Sequence, residues 1–152
     1  MERFKCELIP SGRSEDSPYT AITLCVYKEH EGSRVVHWTA IEYGTTAQNV
    51  NLLFSVAKRC GYTFRHETHA EAIATLVRKL HVNAYGHGSL DRESASERGL
   101  TIRSNPYRVN DWANRAHYWM LGFNEQPPTG FDELANPALT EIVSDSLMGL
   151  LQ

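Results

Sequence analysis

Residues 45 to 71 constrain the fold more tightly than any other stretch, because they hold both ends of one helix and the start of the next. Thr45 and Gln48 have capping-box spacing, in which side chains at a helix start satisfy N–H groups that have no partner in the helix. Val50, Leu53, Phe54, Ala57 and Cys60 then recur at helical period, and Gly61 stands where a left-handed terminator belongs. Tyr62 to Glu67 is too short for a helix and suits a buried strand. Thr68 and Glu71 repeat the capping box ahead of Ile73, Leu76, Val77 and Leu80. Helix, strand, helix is the expected order.

Upstream, Arg3 to Pro10 alternates Phe4, Cys6 and Leu8 with Lys5 and Glu7, a strand pattern closed by proline. Ser11 to Pro18 is polar and reads as a loop. Tyr19 to Lys28 and Arg34 to Tyr43 are rich in β-branched and aromatic residues, and Glu29 to Ser33, with Gly32 at the bend, joins them as a hairpin. Downstream, His81 to Tyr85 fits either a strand or the last turns of the second helix. Gly86 to Arg98, broken by glycine and serine, reads as a loop. Gly99 to Ser104 reads as a strand, and Asn105 and Pro106 as the cap and first residue of a helix carrying Val109, Trp112, Ala113, Ala116, Trp119 and Met120. Asn136 and Pro137 open a last helix with Leu139, Ile142, Val143, Leu147 and Leu150 on one face.

A length of 152 residues suits one domain with its own core. The cysteines Cys6, Cys25 and Cys60 fall in predicted strands or on an apolar helix face, which fits reduced, buried thiols and a cytoplasmic setting. No leader pattern opens the chain, and no run approaches the roughly 18 apolar residues of a membrane span. The net charge of −3 excludes a global basic field for nucleic acid. The charge is unevenly placed, however. Arg92, Arg98, Arg103, Arg108 and Arg115 cluster in one segment, whereas every charged residue from Glu125 onward is acidic. A solvated arginine face and a phosphate-tracking face both account for the cluster, with Arg103, Arg108 and Arg115 the candidate contacts.

Three antiparallel strands followed by helix, strand, helix, strand and helix is the order of the ribonuclease H-like fold, and local strings resemble that family's markers. Thr45-Thr46-Ala47-Gln48-Asn49-Val50-Asn51-Leu52 has the frame of the family's Thr-Thr-Asn-Asn, two residues, Glu-Leu, with Asn51 at the Glu. His66-Glu67-Thr68 is similar to the Thr-Asp-Ser that leads into a helix, with Glu67 at the Asp. Asn110-Asp111-Trp112-Ala113-Asn114 resembles the family's third acidic string, with Asn114 replacing Asp. Glu7 is the only acid in the first strand for the opening Asp, and the usual Asp-Gly-Ser is absent. The resemblance covers roughly residues 3 to 121. It implies an α/β fold with a mixed sheet, flanking helices and an additional C-terminal helix, as a domain over residues 1–121 and an acidic extension over 122–152.

Such nucleases gather carboxylates around two Mg²⁺ ions about 4 Å apart, which activate water and stabilise the leaving oxygen. The resemblance implies a catalytic set of Glu7, Asn51, Glu67 and Asn114, with Glu7 and Glu67 as metal ligands. Two of the four are neutral amides, so weakened or absent Mg²⁺ catalysis is expected. Ordinary surface acids at strand ends are the bland alternative for Glu7 and Glu67. The expected function is a binding module for a nucleic-acid or protein partner. The alternatives are an active Mg²⁺-dependent nuclease on RNA or RNA–DNA hybrid, with Asp111 or Asp91 as substitute acid, and a small accessory or inhibitor protein acting on a larger complex. The terminal helix is a candidate contact with its own domain or with a second copy.

Three further patterns carry less. His66, His69 and Cys60 are zinc-type donors without a completed four-ligand spacing. Gly86-His87-Gly88-Ser89 faintly resembles an ADP-ribosyltransferase entry motif, with a flexible loop as its plain alternative. Trp38, Trp112, Tyr118, Trp119 and Phe123 are suited to stacking on bases, but aromatics at helical and strand spacing usually build core.

Overall fold

Apolar alternation in the N-terminal third produces three long strands, and amphipathic helices then cover one face of the sheet they form. The structure is a computed structural model that describes residues 4–12, 18–99 and 104–126. Its elements are β1 (Lys5–Gly12), β2 (Tyr19–His30), β3 (Ser33–Tyr43), α1 (Ala47–Cys60), β4 (Thr63–Phe64), α2 (His69–Glu97) and α3 (Arg115–Phe123). The sheet order is β3-β2-β1-β4, with β1, β2 and β3 antiparallel in turn and β4 parallel to β1. The expected α/β class and mixed sheet are therefore present. The strand expected at Gly99 to Ser104 falls largely on residues 100–103, outside the described residues, as does the C-terminal helix.

The hairpin forms as expected, but its strands run further than the sequence suggests. Only Glu31 and Gly32 remain in the turn, both with positive φ (51° and 81°), which matches the twist of the flanking strands. β1 also continues past Pro10 to Gly12. The missing N–H of Pro10 costs no ladder bond on the β4 side, because β4 pairs only with Lys5 and Cys6.

Cys6 and Leu8 of β1, Ile22, Leu24 and Val26 of β2, Val50, Leu53, Phe54 and Ala57 of α1, and Ile73, Leu76, Val77 and Leu80 of α2 form the main core. The cap of α1 is Thr46, not Thr45: its hydroxyl accepts from the Asn49 N–H, and Gly61 ends the helix at φ 74°. Thr45 is instead committed to tertiary contacts described below. Thr68 caps α2 by accepting from the Glu71 N–H, as expected. β4 is shorter than the expected Tyr62–Glu67 strand, since Arg65 to Thr68 bend toward α2 after Arg65 N donates to the Cys6 carbonyl.

The largest departure is α2, which runs unbroken through Gly86–Glu97, the stretch expected to be a loop, and includes the undecided His81–Tyr85. Tertiary packing overrides the local weakness of glycine here. A Cβ on Gly88 would lie 2.1 Å from the Trp119 carbonyl oxygen, and one on Gly122 would lie 2.1 Å from that of Tyr85. The paired glycines let α2 and α3 approach backbone to backbone. α3 in turn starts at Arg115 and not near Pro106. The Asp111 carboxylate accepts from the Ala113 and Arg115 N–H groups and so supplies the capping acceptor expected of Asn105, six residues earlier.

Candidate functional site

Strand alternation places Cys6 and Leu8 toward the helices, so Glu7 between them faces the opposite side of the sheet. Glu7 is 4% exposed. Parallel pairing of Cys6 with Phe64 sets Arg65 level with Glu7, and the Arg65 guanidinium donates to Glu7 Oε2 at 3.0 Å. Arg34, from the start of β3, donates to Glu7 Oε1 and lies 4.4 Å from the centre of the Tyr27 ring. Burial pushes the Glu7 carboxyl pKa up, but hydrogen bonds from Arg65 and Arg34 outweigh it and hold the group below the usual carboxylate range. Burial also raises the neighbouring Tyr27 phenol and Cys25 thiol, and on the helix-covered face it pushes Cys6 up to about 12, so both thiols stay protonated at neutral pH.

The residues singled out by the sequence are not drawn together. Asn51 lies on α1, whose apolar face packs on the helix-covered side of the sheet, so the sheet stands between it and the Glu7 carboxylate. Its Oδ1 is buried without a hydrogen-bond partner. Glu67 is exposed, and its N–H donates to Glu71 Oε2 at the entry to α2. Asn114 precedes α3 in a left-handed conformation at φ 59°, and its side chain makes no cap bond. No hydrogen bond or ion pair links any two of these four residues among the described ones. Likewise, no group of three or more His, Cys, Asp or Glu side chains is placed to hold a metal ion among the described residues.

The arginines also divide. Arg115 is internal: its guanidinium makes two bonds to Asp111, at 2.6 and 3.0 Å, and one to the Thr45 hydroxyl at 2.6 Å, while Trp112 Nε1 donates to the Thr45 carbonyl at 2.7 Å. This network ties the start of α1 to the start of α3. Arg108 is exposed, and Arg103 lies outside the described residues. The substitute acids are also committed, Asp111 to Arg115 and Asp91 to the Trp119 indole N–H at 2.8 Å. Tyr118, Trp119 and Phe123 are core residues and not a stacking platform. Cys60 is exposed, contrary to the expectation of a buried thiol. Gly86 to Ser89 belong to α2.

Sequence reasoning missed Arg34 and Arg65. A signal existed for the second, because aligning the strands near Phe4 and Phe64 puts Arg65, and not Glu67, beside Glu7. It also missed the outer edge of the sheet. β3 has β2 on one side and no strand on the other among the described residues, over Ser33–Tyr43. Val35, Val36, Ile41 and Tyr43 on this strand are 54%, 58%, 48% and 84% exposed. A hollow of about 320 Å³ lined by Phe4, Lys28, Val35, Val36 and His37 opens beside it. No helix among the described residues is long and apolar enough to cross a membrane. No family model, curated protein or solved structure matches the chain.

Proposed function

We propose that the chain is a ribonuclease H-like domain that binds rather than cleaves, and that its partner is a protein segment added as a strand along β3. The observation that carries the reading is the β3 edge, which no strand among the described residues pairs with and which presents a long run of backbone groups and four exposed large apolar side chains. Exposed edges of this length are normally shortened, charged or covered, and those left open serve strand addition, with backbone bonds giving affinity and alternate side chains giving specificity.

Absence of cleavage is supported by the state of Glu7. A divalent ion at that carboxylate would have to displace two guanidinium groups, and Asn51 would bring no charge to compensate it. A nucleic-acid partner is disfavoured by the engagement of Arg115 with Asp111 and Thr45.

Peptides selected from a displayed library on the full chain test the reading. Those that bind should carry alternating apolar residues and lose at least about tenfold in affinity against Val36→Lys/Ile41→Lys, two surface changes expected to leave stability within roughly 0.5 kcal/mol. Equal binding to both forms contradicts strand addition. Mg²⁺-dependent cleavage of an RNA–DNA hybrid that disappears in Glu67→Ala contradicts a non-catalytic domain.

A further inference from the structure

One side of α2 carries an apolar groove that no described element covers. It holds about 680 Å³ and is floored by Tyr19, Val82, Gly86 and Leu90, with Arg78 and Lys79 at one end. Val82 and Leu90 are 54% and 38% exposed. Arg78 and Lys79 are exposed and have no ion-pair partner among the described residues. The groove therefore asks for an occupant with an apolar stripe and negative charge.

The chain reaches the rim of this groove with such a segment still to come. α3 packs along α2 through Gly88 and Gly122, and the carbonyl of Gln126 accepts from the Tyr85 hydroxyl at 2.6 Å, one residue from Gly86. Residues 127–152 follow. Every charged residue among them is acidic, and Leu139, Ile142, Val143, Leu147 and Leu150 fall on one face at helical period. The lengths agree. The groove runs from Arg78 to Leu90, about 18 Å of helix, and a helix over residues 137–151 is about 22 Å long. The connection from Gln126 to Pro137 spans up to roughly 38 Å, so it reaches either end.

We infer that the groove on α2 is the docking site of the chain's own acidic C-terminal segment, residues 137–151, with its leucine face on Val82 and Leu90 and its net negative charge favoured by the nearby Arg78 and Lys79. Tethering places the segment at an effective concentration of order millimolar, so weak contacts suffice to hold it. The inference is independent of what binds β3, which is a separate surface.

Cysteine pairing in the full chain tests it. In a Cys60→Ser background, Val82→Cys with Ile142→Cys should form an intrachain disulfide at a rate independent of protein concentration. That rate should exceed by at least about tenfold the rate for Val109→Cys with Ile142→Cys, since Val109 is 95% exposed and does not line the groove. Adding Arg78→Glu/Lys79→Glu should slow it. A disulfide formed only between two chains assigns the groove to a second copy and overturns the inference, as does a rate equal to the Val109 control. Methyl spectra give a second measurement without engineered cysteines: Leu147→Asp in the full chain should shift the Val82 and Leu90 resonances, and unchanged resonances overturn the inference.

Discussion

The sheet buries an ionised acid, whereas the helix pair buries a neutral base, and the two regions satisfy their polar groups by opposite means. Glu7 keeps its charge because two guanidinium groups meet it. His81, on α2, is 2% exposed, stacks on Tyr118 at 3.8 Å and has its Nε2 2.6 Å from the Ala113 carbonyl. Burial drives its pKa down to about 4, so it donates to that carbonyl as an uncharged imidazole. The sheet therefore depends on long-range charge pairing between β1, β3 and the end of β4. The helix pair depends on close backbone approach and shape.

The largest effect should come from unpairing the sheet's acid. Arg34→Met/Arg65→Met leaves a buried carboxylate without compensation and should cost about 3 to 5 kcal/mol at neutral pH in denaturant titrations. Adding Glu7→Leu to that background should restore most of the loss, because an apolar side chain needs no partner. If the triple variant is no more stable than the double, charge pairing is not what holds this region.

Acid separates the two regions next. The unfolded chain protonates His81 near 6.5, but the folded protein resists until about 4. Stability is thus lost as pH falls through that window, by about 3 kcal/mol at pH 4. Glu7 acts lower: its stabilisation is present above the ordinary glutamate value and is lost as pH falls through its depressed folded pKa. His81→Phe should flatten the stability profile between pH 6.5 and 4.5 and leave the steeper acid limb in place. A profile unchanged by the substitution contradicts a neutral, buried His81.

The smallest of the three effects concerns helix contact. Gly88→Ala should gain about 1 kcal/mol of helix propensity, yet cost a net 1 to 3 kcal/mol or so, because its Cβ meets the Trp119 carbonyl. A net gain in melting temperature would show that α2 and α3 are not held this closely.

The same contrast explains what the sequence made legible. The hairpin, the Thr68 cap and the Gly61 terminator come from local patterns, and each can be read from residue type and period. α2 beyond Leu80 cannot be read that way, because Gly88 looks like a break until α3 is seen to need its missing side chain. The candidate site failed for a related reason. Motif position alone puts Glu7 with Glu67, but pleating turns Glu7 away from α1 and the register gives Arg65 the place beside it. In sequence Arg115 reads as a surface cation, because its partners Asp111 and Thr45 are joined to it only by folding.

Carboxyl-carbon NMR of glutamate-labelled protein during a Mn²⁺ titration tests most directly whether Glu7 serves arginine or metal. With the carboxylate held by Arg34 and Arg65, the Glu7 resonance should keep its shift and linewidth while exposed glutamates broaden gradually together. Early, saturable broadening of Glu7 together with Glu67 would place a metal between them and contradict the account.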